Sequence, residues 1–231
     1  MAIWRKPIDG IKSSLNGTER ADDKNQLSAA TRYAMIDVEV GVNDLKIHDI
    51  GALKDDDSVY HDASKEGLEA FLGDVDYICG HNIIHHDAKY LFPEGIPARF
   101  CAVDTLYFSP LLFPQRPYHR LVKDDKLICD QVNNPVNDCK KARDLLFDEI
   151  SAWEQLSEEK RLIYSTLLQG HDEFSGFLRL VNAASSDSRS FTELINEIYS
   201  GRICRNADID HLIERYPVGL SYALALIDAD C

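Results

Sequence analysis

Apolar and polar residues change rhythm several times along the chain, and each change predicts an element. Tyr33 to Val40 is a run of aromatic, aliphatic and β-branched side chains, a largely buried strand carrying two acids, Asp37 and Glu39. Gly41-Val42-Asn43-Asp44 makes a turn, Lys46 to Leu53 returns as a second strand, and Val59-Tyr60-His61 forms a short third. Ser64 begins a helix with Leu68, Phe71 and Leu72 on one face, and Val75 to Cys79 gives a buried strand ending at Gly80. Further helices are expected over His85 to Leu91, from Val103 towards Phe113, and briefly from Tyr118 to Val122. Asn134-Pro135 is a strong helix start, an amide cap followed by a ring suited to the first helical position, and the helix runs to about Trp153.

This order of strands and helices indicates an α/β layer with a mixed sheet. After Ser157 the pattern becomes helix upon helix. Leu162, Tyr164, Leu167 and Leu168 form one stripe, and Phe174, Phe177, Leu178 and Val181 form another. Ser190 stands where it would cap a helix bearing Leu194, Ile195 and Ile198, and Leu220 to Ile227 follows the Tyr216-Pro217 break. The chain therefore divides into a polar arm over 1–31, an α/β domain over 32–154 and a helical extension over 155–231.

Composition narrows the classes of function. No apolar run approaches the ~18 residues of a membrane-spanning helix, and the amino terminus lacks a secretory core. Six cysteines without a Cys-x-x-Cys pair fit a reduced cytoplasmic protein rather than a zinc ribbon. The formal net charge of −14 argues against broad coating of duplex DNA. It leaves room for an enzyme that grips a few nucleotides through bound cations.

Four acids carry the candidate chemistry. Asp37 and Glu39, two residues apart on a strand, point to the same face. Buried together they would resist ionisation unless a cation lay between them, whereas on an exposed strand they would simply face water. Asp87 follows Gly80-His81-Asn82-Ile83-Ile84-His85-His86, where a strand gives way to a helix, near the crevice beyond the strand ends. There Asn82 has a second reading as a helix cap, and Asp87 as a counter-charge to the helix dipole. Asp138 falls in the first turn of the long helix, with the same dipole alternative.

In this order, Asp37-x-Glu39, Asn82 with Asp87, and Asp138 resemble the three motifs of the DEDD (DnaQ-like) 3′–5′ exonucleases. The resemblance covers residues 33–150 and includes Val103-Asp104-Thr105-Leu106. It implies a ribonuclease H-like fold, a mixed sheet flanked by helices and followed here by an all-helical extension. It further implies two Mg²⁺ or Mn²⁺ ions held by the four acids, and cleavage at the 3′ end of single-stranded DNA or RNA, DNA preferred. Residues 117–150, Phe174-Ser175-Gly176-Phe177 and Ala223-Leu224-Ala225-Leu226 are also similar to exonuclease modules that precede bacterial RecQ-type helicases. That similarity implies a helicase domain in the same full-length chain, of which this sequence would be the amino-terminal part.

The pattern departs from the family at one place. Its members carry histidine five residues, or tyrosine four residues, before the last aspartate, and Asn133 and Asn134 occupy those positions here. An amide does not accept a proton as imidazole does. His85 or His86, His119, or a metal-acidified water would have to substitute. Arg116, His119, Arg120 and Lys123 gather ahead of the third motif, with Tyr118 among them. They read as phosphate contacts with a stacking ring, or as a solvated basic face. Two other functions stay open: a catalytically silent exonuclease fold that binds nucleic acid or docks a helicase, and a phosphodiesterase acting on RNA or short oligonucleotides.

Overall fold

The computed structural model describes residues 31–121, 134–184 and 191–230; residues 1–30 of the arm, Asn133 and Ser190 lie outside them. The strands are β1 (Tyr33–Val40), β2 (Ile47–Lys54), β3 (Val59–His61), β4 (Tyr77–Gly80) and β5 (Cys101–Asp104). The first helices are α1 (Lys65–Phe71), α2 (Asp87–Leu91), α3 (Thr105–Leu112) and α4 (Pro135–Gln155). The remainder are α5 (Glu158–Leu168), α6 (Asp172–Leu180), α7 (Phe191–Ile198), α8 (Ile209–Arg215) and α9 (Pro217–Asp228). The sheet order is β3-β2-β1-β4-β5, with β1–β2 and β2–β3 antiparallel and β1–β4 and β4–β5 parallel. The protein is thus an α/β fold with a mixed five-stranded sheet, flanking helices and a helical carboxy-terminal part. Among the described residues no helix is long and apolar enough to cross a membrane.

Strand alternation assigns the faces. Tyr33 and Met35 enter one core cluster, with Leu146, Ile150 and Trp153 of α4; Ala34, Ile36 and Val38 enter the other, with Leu68 of α1 and Leu72 just past its end. Asp37 and Glu39 continue the Tyr33–Met35 line, so both lie on the face that α4 covers. The α4-side cluster extends without interruption into Ile163, Phe174, Phe177 and Leu224 of the later helices. At its centre Phe108 stacks on Phe177 with ring centroids 3.9 Å apart, and Trp153 meets both rings edge-on.

Two local expectations are corrected. The Val103-to-Phe113 segment begins with the strand β5, and its helix starts only at Thr105. Three apolar residues, Cys101 to Val103, carry no period that separates strand from helix, and the parallel pairing of β5 with β4 decides the matter. Tyr118 to Leu121 forms no helix. The start of α4 is as expected: the Asn134 side chain accepts from Val136 N at 3.0 Å, and Pro135 takes the first turn. Asn134 is therefore a cap.

Candidate metal centre

The long helix reaches the sheet through an absence. Gly51 of β2 pairs with Asp37 of β1, and a Cβ on Gly51 would lie 2.5 Å from both Pro135 C and Val136 N. Only a bare Cα lets the first turn of α4 settle there. Three residues on, Asp138 comes down beside Asp37 and Glu39, and carboxylate oxygens of the three lie within 4.8 Å of one another. Asp138 is buried and the two strand acids are partly so. Three hard oxygen donors at this spacing fit Mg²⁺ or Mn²⁺ by donor type.

Asp87 sits outside that triplet but next to it. It is almost wholly buried, and its Oδ1 accepts from the N–H of Val38, the residue between Asp37 and Glu39, at 2.9 Å. Cys139 reports the same convergence. Its thiol, donating to Gly51 O at 3.3 Å, is pushed well up by burial and then by the charges of Asp37, Asp87 and Asp138.

The strand-to-helix loop ahead of Asp87 is held by the acid of the Val103-Asp104-Thr105-Leu106 segment. Asp104, fully buried at the end of β5, accepts from the N–H groups of Asn82 at 2.8 Å, Ile84 at 3.0 Å and Leu106 at 3.0 Å. It caps α3 and fastens the loop at once. Burial pushes its carboxyl pKa up against those three donors, and the Asp87 charge adds to the rise. An aspartate directly before an apolar helical run was the available signal. Asn82 does not cap α2; that position belongs to His86, which makes no side-chain cap bond. Asn82 instead takes φ +67°, a left-handed turn that asparagine tolerates better than most residues, and its carbonyl accepts from His86 N. His81 bonds Thr105 Oγ1 at 2.9 Å, and burial lowers its pKa to about 4, so it stands neutral.

The two adjacent histidines part ways. His85 turns to Glu173 of α6 at 3.2 Å and packs edge-on against Tyr107. His86 turns to the acids: its Nδ1 lies 3.3 Å from Asp87 Oδ1, and that hydrogen bond raises its pKa. His119 bonds Ser109 at 2.9 Å rather than any of the four acids. Its pKa is lowered by burial and by the neighbouring Arg116 charge. Arg116, Tyr118, His119 and Arg120 line an open cleft of about 410 Å³ against Lys141 and Leu145 of α4. Lys123 lies outside the described residues. No protein family, curated protein or solved structure matches this chain.

Proposed function

We propose that the chain is a divalent-metal-dependent 3′–5′ exonuclease acting on single-stranded nucleic acid, DNA in preference to RNA, within a ribonuclease H-like arrangement of its sheet. The observation that carries the reading is the convergence of Asp37, Glu39 and Asp138 within 4.8 Å, from two neighbouring elements of one sheet face. Asp87 on the Val38 N–H supplies the fourth carboxylate. Like charges brought this close without a cation would repel one another and weaken the fold. The strand β2, lying between β3 and β1 and antiparallel to both in a sheet whose other strands run one way, supports the fold reading.

Mg²⁺ or Mn²⁺ held by these four residues would acidify a water and offset the charge that grows on a phosphodiester under attack. The chain's own groups do the rest. Asp104 fixes the loop that aims Asp87, and Asn134 and Gly51 fix the turn that aims Asp138. His86, with Nδ1 engaged by Asp87, presents Nε2 as the proton acceptor in place of the imidazole missing at Asn133. A RecQ-type helicase domain in the full-length chain would deliver a single strand to this end of the sheet.

The test is 5′-labelled single-stranded DNA and RNA with Mg²⁺ or Mn²⁺, beside EDTA and Asp37→Ala controls. A ladder shortening from the 3′ end and lost in both controls is expected. Intact substrate with a folded protein would leave the non-catalytic binding module as the better reading.

A further inference from the structure

We infer that the cleft between the 113–121 segment and α4 holds the sugar–phosphate backbone of single-stranded nucleic acid on its way to the carboxylates. This rests on the nuclease reading above. The face of α4 that carries Asp138 continues through Lys141 and Leu145, and both line the cleft. At 1.5 Å of rise per residue, the cleft begins ~5 Å beyond Asp138 along the helix axis and reaches at least ~10 Å. A strand ending at the metal centre would pass directly into it.

The lining suits a phosphate chain. Arg116, Arg120 and Lys141 bring three permanent cations against two carboxylates, Asp144 and Asp148. That local surplus stands out on a chain of net charge −14. Neither arginine forms an ion pair among the described residues. The Arg116 guanidinium lies 3.8 Å over the Phe113 ring, which fixes its plane for bidentate contact with phosphate. Tyr118 is 80% exposed at the rim, an aromatic face open to a base. His119, tied to buried Ser109, anchors the segment. A solvated basic face would need neither a stacked arginine nor an exposed ring beside it, and an acidic peptide would leave that ring without a partner.

The measurement is fluorescence anisotropy of a labelled single-stranded DNA in EDTA, where nothing is cleaved, over a series of salt concentrations. Arg116→Ala with Arg120→Ala is expected to weaken binding about tenfold or more. Its salt slope should become shallower by about 1.4, two phosphates at ~0.7 each for a single strand. Arg205→Ala with Arg215→Ala removes the same charge from an exposed surface elsewhere and is expected to change little. Tyr118→Ala should cost about fivefold or more with the slope unchanged. Any of four results overturns the inference: no binding by the natural chain at low salt, unchanged affinity in the cleft double variant, equal loss in both double variants, or preference for a polyglutamate peptide. A cleavage assay separates this from the nuclease reading. Arginine-dependent binding without any metal-dependent cleavage keeps the cleft and removes the nuclease, and cleavage with arginine-independent binding does the reverse.

Discussion

Gly51→Ala tests whether one missing side chain sets the geometry of the acids. The new Cβ would stand 2.5 Å from Pro135 C and Val136 N, both backbone, so neither can swing aside. Reaching ordinary contact at 3.4 Å requires the first turn of α4 to retreat by about 0.9 Å. Overpacking of that kind costs about 1–3 kcal/mol. At ~2–4 °C per kcal/mol for a chain of this size, the melting temperature should fall by roughly 2–12 °C. Asp138 rides on the same turn, and a misplacement near 1 Å can cost about 10²-fold in rate. Urea denaturation and Mn²⁺-dependent cleavage of labelled DNA read the two effects, with Gly170→Ala, which meets nothing within 4 Å, as the neutral control. A Gly51→Ala protein with unchanged midpoint and rate would refute the close approach of α4 and the aim it gives to Asp138.

Mn²⁺ at ~100 times its dissociation constant should stabilise the protein by ~2.7 kcal/mol, a rise of roughly 5–11 °C by thermal shift, reversed by EDTA and absent in Asp37→Asn. His86→Ala should slow cleavage by about 10²–10⁴, while His85→Ala, engaged with Glu173, stays within a few-fold. Asp104→Ala strands the partly buried N–H groups of Asn82, Ile84 and Leu106, and should lower stability by about 1–3 kcal/mol in urea titrations. Glu149 is fully buried with neither carboxylate oxygen bonded, and burial, then the Asp104 charge, hold its pKa well above the ordinary 4.5. The folded state thus keeps a proton that the unfolded chain releases, so its contribution falls as pH rises above 4.5. Glu149→Gln should match the natural chain in acid and exceed it in stability at neutral pH, and equal urea midpoints at pH 7 would contradict this.

The periodic elements were legible because their signals are local. Ser64 and Asn134 mark helix starts by side-chain chemistry, and alternation alone placed Asp37 and Glu39 on one face. Their meeting with Asp138 was legible only as an ordered resemblance, since nothing local says that Gly51 admits a distant helix. β5 was missed because its apolar residues are too few to show a period. Asp104 was passed over because its value lies in three N–H groups brought together from two segments. The division of labour between His85 and His86 turns on α6, some ninety residues on, and neighbouring identical residues give no hint of it.

The terminal strand of the sheet has a neighbour of an unusual kind. A Cβ on Gly176 would overlap the carbonyl of Ala102, so α6 lies with its backbone almost directly on β5. An uncovered terminal strand is a template on which further chains can add, the first step towards fibrils. The helices past residue 155 therefore act as a guard against self-assembly. A fragment cut there would keep all four acids and yet expose both an apolar core surface and a strand ready to recruit copies of itself, so its loss of activity would first be seen as turbidity.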